Sequence, residues 1–196
     1  MIEIGRIVRL QVQTASLKLG ERPNRVYDPS PLREVPCLRL TPRGAAGVRD
    51  GAPLLDVHHG DHPATKWEAG REASFGFTSH YGRMRDEYGG HLVNGCAGEN
   101  VLVESTEVWT LEDLTRSAGL AFRGAESGSL LRLANVTVAE PCVEFSRFAI
   151  RTRAPEASPQ ELKPVLQFLS EGTRGYVFTP ESDGEVAIGD RLVILT

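Results

Sequence analysis

The chain has 196 residues, 40% of them hydrophobic and 24% charged, with a formal net charge of −4. That is enough chain for one domain, spanning 1–196, with a full apolar core, and its mixed charge excludes the clustered basic face of a nucleic-acid binder. Three cysteines at irregular spacing exclude a disulfide framework, so a reducing, cytoplasmic setting is the expectation.

Ile2 to Gln13 places apolar residues among charges and reads as a long strand or a strand pair. It does not have the pattern of a signal peptide, and no stretch reaches the length of a membrane span. Arg22 to Pro36 is rich in Pro, Asn, Asp and Arg and reads as a surface loop. Val35 to Leu40 and Leu54 to His58 predict short strands. His58 to Ser74 predicts a loop that carries His58-His59-Gly60-Asp61-His62-Pro63. Thr78 or Ser79 is then placed to cap a helix through about Tyr88. Gly95 to Asn100 is a turn feeding a strand from Val101 to Glu104. Thr110 with Asp113 imitates a capping box, for a helix from Leu111 to about Ala118. Leu130 to Ala139 predicts a clear strand, which stops at Glu140-Pro141-Cys142. Ser158-Pro159-Gln160-Glu161 joins an N-cap, a Pro in the first turn and Glu at N3. Leu162, Val165, Leu166 and Leu169 follow at helical spacing, with Gly172 as a stop and Pro164 predicting a kink or restart. The tail reads as a hairpin: Arg174 to Thr179, a turn at Ser182-Asp183-Gly184, then Val186 to Leu195. Short strands dominate without a βαβ rhythm. The expected fold class is mainly β with peripheral helices (α+β), closed into a β-barrel.

Cys142 is the first candidate for chemistry. It follows a proline at a strand end, where a thiolate can ligate a soft metal or carry sulfur as a persulfide; a buried structural cysteine is the alternative. In the Gly95–Asn100 turn, Gly95 and Gly98 free backbone N–H groups to face a ligand, and Glu99 and Asn100 add polar side chains; the alternative is a self-satisfied hairpin turn. The His58–His62 loop has three histidines and an aspartate but no standard zinc spacing. His80 and Arg83 share a helix face that suits a phosphate or plain solvent. Arg147, Arg151, Arg153 and Arg174 add positive charge near Cys142 and on the tail. Cys37 reads as structural, and Cys96 lies within the Gly turn.

The turn GCAGENVLV (Gly95–Val103) together with LLRLANVTVAEPCVEF (Leu130–Phe145) and the Gly189-Asp190 tail resembles the MOSC domain. This domain occurs at the C-terminal end of molybdenum cofactor sulfurases and in stand-alone bacterial proteins. The likeness is strongest over 75–195. It implies a barrel of the pyruvate-kinase-barrel type and a pocket for the molybdenum cofactor (molybdopterin). By the same resemblance, Cys142 is the metal ligand or sulfur carrier, and Gly95, Gly98, Glu99 and Asn100 form part of the cofactor site. Arg83 and Arg174 are candidates for the cofactor's anionic groups. His58, His59 and His80 are candidates for orienting the thiolate or moving protons, with His59 and His80 beside Cys142 as the catalytic set. The sequence shows no domain with a PLP-binding lysine.

Three functions follow. One is a molybdenum-cofactor oxidoreductase acting on N-hydroxylated compounds, with electrons from a separate reductase. The second is a sulfur carrier charged on Cys142 by a PLP-dependent cysteine desulfurase, for metal–sulfur cofactor assembly. The third is a non-catalytic barrel that holds a small molecule. None of them involves nucleic acid or a membrane.

Overall fold

The computed structural model describes residues 1–49, 51–152 and 156–196. Strand β1 (Ile2–Gln13) organises the fold. Its register shifts between Glu3 and Gly5 and again between Ile7 and Arg9. Such irregularities bend a strand and change its neighbour. The first part of β1 therefore pairs with the last strand, β14 (Arg191–Ile194). Its middle pairs with β9 (Val101–Glu104), and its end with β4 (Leu32–Glu34).

From β14 the sheet continues through β10 (Leu120–Arg123), β11 (Leu130–Val138), β12 (Tyr176–Pro180) and β8 (Ala73–Phe77) to β9, which closes on β1. The result is a closed seven-strand mixed β-barrel with a few helices, as the sequence leads one to expect. Alternation fills it: Phe75 and Phe77 of β8, Phe122 of β10, and Tyr176 and Phe178 of β12 are all buried. Phe75 lies 5.3 Å from Tyr176 and Phe122 lies 5.8 Å from Phe178 between ring centroids, within the range of attractive aromatic pairs.

Among the described residues only β8 and β9 run parallel. Parallel neighbours need a crossover, and helix α1 (Thr78–Tyr88) with the Gly95–Asn100 turn provides it. One strand–helix–strand unit is thus present in a chain whose sequence shows no such rhythm. The helix begins where Thr78 and Ser79 suggested, but neither residue caps it: Phe77 occupies the cap position without a side-chain bond. The two hydroxyls instead donate to the carbonyls of Ser105 and Glu107.

A second sheet joins β13 (Gly184–Ala187), β5 (Cys37–Thr41), β6 (Gly44–Arg49) and β7 (Ala52–Leu55). This corrects the tail hairpin. β12 already has β11 and β8 on its two edges, so the chain crosses after Pro180 and β13 pairs with β5. A small ribbon joins β2 (Lys18–Leu19) and β3 (Val26–Tyr27).

Capping boxes start α2 (Leu111–Thr115) at Thr110 and α4 (Pro159–Phe168) at Ser158. α4 runs through Pro164, which is exposed, so the carbonyl its ring leaves unpaired can meet water. α3 (Val143–Ala149) has no sequence counterpart above; its cap is Cys142. Tyr81, Met84, Phe145, Ala149, Val165 and Leu169 form a second apolar cluster among α1, α3 and α4. Among the described residues, no helix is long and apolar enough to cross a membrane.

Candidate functional site

Because β8 and β9 are parallel, their first residues lie side by side. The Gly95–Asn100 turn arrives at that end, next to Ser74. A cleft of about 340 Å³ opens there, within the usual size of a small-molecule site. Gly98, Glu99 and Asn100 line one side, Arg174 and Tyr176 another, with Ala139 and Glu140 beyond β11. The loop after β7 contributes His58, Lys66, Glu68 and Arg71, the end of β1 contributes Gln13 and β2 contributes Lys18.

The turn is braced by side chains of β1. Gln11 Nε2 donates to the carbonyls of Gly95 (2.8 Å) and Glu99 (2.7 Å), and Gln13 Nε2 donates to that of Gly98 (2.8 Å). Gly98 has φ +92°, and a Cβ there would lie 2.7 Å from Leu17 Cδ1, so only glycine fits. Gly95 has φ +86° and is pressed against Arg9 rather than the cleft. Asn100 Nδ2 donates to Asp56 Oδ2 (2.9 Å) and the Gln11 carbonyl (3.2 Å), while its Oδ1 accepts from Ser74 N (3.1 Å). Asn100 is therefore the clamp joining β1, β8 and the β7 loop.

Asp56 is buried and accepts from Gln13 N, His58 N and Asn100 Nδ2 as well as sitting 2.9 Å from His58 Nδ1. A carboxylate at that distance fixes the Nδ1–H tautomer. That leaves Nε2 of the half-buried His58 as the ring atom available to the cleft.

Cations outnumber their partners in the cleft. Arg71 is paired with Glu140 (3.1 Å) and with Glu68 (3.7 Å). Arg174 pairs with no carboxylate among the described residues: its guanidinium donates to the carbonyls of Glu140 (2.6 Å) and Ala97 (3.4 Å), its Nε is buried without a partner, and it lies 5.5 Å from the centre of the Phe145 ring. Lys66 donates to Ser16 (2.6 Å). Burial, together with the like charges of Lys18 and Arg25, pushes its ammonium below the ordinary lysine range. Such repulsion marks a place where an anion is favourable.

Glu99 is buried under the cleft. Its Oε2 accepts from Tyr81 Oη (2.9 Å) and its Oε1 has no partner. Burial pushes its carboxyl up to about 7, against the opposing bond from Tyr81 and the charges of Arg9 and Arg174.

Cys142 stands two residues past Glu140, half-buried, its Sγ accepting from Phe145 N at 3.4 Å. It packs beside the second apolar cluster and does not line the cleft itself. Arg174, in the cleft on one side and over Phe145 on the other, connects the two. Cys96 is different: it is buried, and burial pushes its thiol up to about 12.

The remaining candidates lie elsewhere. His59 is buried in its own turn, where Nδ1 accepts from Asp61 N (3.1 Å), and burial lowers its basicity despite Asp61. His80 is sealed between Phe77 (5.1 Å) and Tyr176 (6.2 Å). Burial takes it down to about 4; the nearby carbonyls of Gly172 and Trp109 oppose this without forming a hydrogen bond of ordinary geometry. Arg83 lies over the Phe168 ring at 5.2 Å. None of the three lines the cleft. Arg153 lies outside the described residues.

Gln13, Lys18, Asp56, Lys66 and Arg71 were not picked out by sequence reasoning. Only Asp56 carried a local signal: an Asp two residues before a His commonly closes a turn onto the backbone N–H. The others are brought together by the barrel from distant segments.

No family model and no curated protein sequence matches this chain. Solved structures do. YuaD from Bacillus subtilis is 17% identical with a TM-score of 0.57, over 96% of this chain and 93% of that one. YiiM from Escherichia coli is 14% identical with a TM-score of 0.52, over 97% of this chain and 70% of that one. At these identities the likeness is one of fold, and it bears out the closed β-barrel with a few helices.

Proposed function

We propose that the chain binds the molybdenum cofactor and reduces N-hydroxylated compounds, with Cys142 as the protein ligand to the metal. The observation that carries this reading is the cationic lining of the cleft, at Lys18, Lys66 and Arg174, with Arg174 also lying over the Phe145 ring in the helix that Cys142 caps. The substrate class rests on the resemblance of the Gly95–Val103 and Leu130–Phe145 motifs.

The residues fit such a group. A phosphate suits the guanidinium fork of Arg174, whose Nε is buried and unpartnered. Molybdenum suits a soft thiolate. No group of three or more His, Cys, Asp or Glu side chains able to hold a metal occurs among the described residues, so the pterin's dithiolene would provide the other sulfurs. When bound, the cofactor supplies two-electron chemistry at the N–O bond. The chain does the rest. Arg174, Lys18 and Lys66 hold the anion, and the braced Gly98–Asn100 backbone shapes the wall. His58 Nε2, the acceptor of the ring while Asp56 holds Nδ1–H, takes up a proton from water and passes it to the substrate. Electrons come from a separate reductase. The free thiols suit a reducing compartment, the cytoplasm.

A second reading is favoured by the position of Cys142 outside the cleft lining. Its thiolate would attack the outer sulfur of a desulfurase persulfide, take that sulfur, and release the desulfurase thiolate.

Metal and pterin analysis of protein made in a molybdenum-sufficient host separates these readings. The first predicts both in stoichiometric amount, with reduction of N-hydroxylated compounds lost in Cys142→Ala and metal and pterin lost together in Arg174→Ala. The second predicts neither, with one extra sulfur atom on Cys142 after incubation with a PLP-dependent desulfurase and cysteine. Absence of all three signals would leave only a small-molecule-binding barrel.

A further inference from the structure

A second cavity, of about 470 Å³, lies on the outer face of α3. Its cationic rim is Arg25, Arg147 and Arg151, and its apolar wall is Tyr27, Val26 and Phe148. Two elements build it. Residues 144, 147, 148 and 151 recur at helical spacing and share one side of α3 and its end. The β2–β3 ribbon lays Tyr27 against them, 5.0 Å from Phe145 and 5.3 Å from Phe148 between centroids.

The arginines are not used up by the protein. Arg147 has no ion pair among the described residues, and its Nε is buried without a partner. Arg25 Nε is likewise buried and unpartnered, and its only ion contact among the described residues is Glu144 at 3.8 Å, too long for a hydrogen bond. Glu144 is shared with Lys18 at 3.7 Å. Arg151 Nε donates to His91 Nδ1 (2.8 Å), and His91 Nε2 donates to the Phe148 carbonyl (3.0 Å). The chain anchors this arginine by Nε, and among the described residues its terminal nitrogens make no hydrogen bond or ion pair.

Buried donors without acceptors are costly in a native fold. Here two of them border one cavity whose wall is aromatic. The geometry points to a second ligand site, for a flat organic molecule that carries a phosphate or carboxylate: the ring lies on Tyr27 and Phe148, and the oxyanion takes the guanidinium forks. The site is distinct from the cleft, because Lys18 lines the cleft, Glu144 lines this cavity, and the pair stands between them.

The test is calorimetric titration of the full chain with phenyl phosphate and with benzoate, in phosphate-free buffer at low salt. Saturable binding of at least one is expected. Loss of a charge-assisted bond weakens binding about tenfold or more, so Arg147→Ala and Arg25→Ala should each raise Kd by about that factor. Arg174→Ala, in the first cleft, should leave Kd within about twofold. Tighter phenyl phosphate would assign a phosphate ligand, and tighter benzoate a carboxylate. Arg25→Ala, on a half-exposed side chain, carries the test if Arg147→Ala does not fold. No saturable binding of either compound, or binding indifferent to both arginines, overturns the proposal, as does binding abolished by Arg174→Ala alone.

Discussion

Glu99 shows how a single buried carboxyl connects site chemistry to stability. Its folded state holds a proton up to about pH 7, whereas an exposed glutamate releases it near 4.5. Between those values the folded chain binds more protons than the unfolded one, so this contribution to stability falls as pH rises. His80 acts in the opposite sense: it is shifted from 6.5 to about 4, the unfolded chain binds more protons between those values, and stability is lost as pH falls through that window. Glu99→Gln keeps an acceptor for Tyr81 and removes the first effect. Between pH 5 and pH 8, urea unfolding should show its stability gaining on wild type by roughly 2–3 kcal/mol; a constant difference would mean that Glu99 is ionised throughout. Asn100 gives a second test at this scale. Its amide joins Asp56, Gln11 and Ser74 inside the protein, so Asn100→Ala strands several buried groups and should cost about 2–4 kcal/mol in the same assay. A loss below 1 kcal/mol would contradict its role as a clamp.

Elements were legible where their determinants are local. The capping boxes at Thr110 and Ser158 were read from four consecutive residues each, and both form. Ser158→Ala should therefore cost about 1 kcal/mol, read as a lower denaturation midpoint at unchanged slope. The turn before β9 and the strand ending at Glu140-Pro141-Cys142 were legible for the same reason. α3 was not, because cysteine is an unusual cap and the helix has only seven residues. The tail hairpin failed because Ser182-Asp183-Gly184 has the composition of a tight turn, while strand pairing is decided elsewhere: both edges of β12 are already taken. The same limit applies to the site. Glu99 and Cys142 sit in recognisable local patterns; Lys18, Lys66 and Arg174 become one charge cluster only after the barrel closes.

At the scale of the molecule, the first and last strands close the barrel on each other, with Ile2 opposite Ile194 and Arg6 opposite Arg191. Removing residues 191–196 leaves edges of both β1 and β10 unpaired and takes Leu192 and Ile194 out of the core, uncovering apolar residues of the same cluster such as Ile4, Ile7, Leu120 and Phe122. That truncation should abolish the cooperative thermal transition rather than merely lower its midpoint. Closure also concentrates positive charge at one end of a chain whose net charge is −4, and Arg174 at that end lies over Phe145, three residues along from the half-buried Cys142. The central claim, that Cys142 and the cationic cleft make one accessible site, is tested most directly by mass-spectrometric mapping of iodoacetamide labelling in the folded protein. Cys142 should be modified well before the buried Cys96, and inorganic phosphate should slow the reaction in wild type but not in Arg174→Ala. A Cys142 as unreactive as Cys96, or labelling indifferent to phosphate, would contradict it.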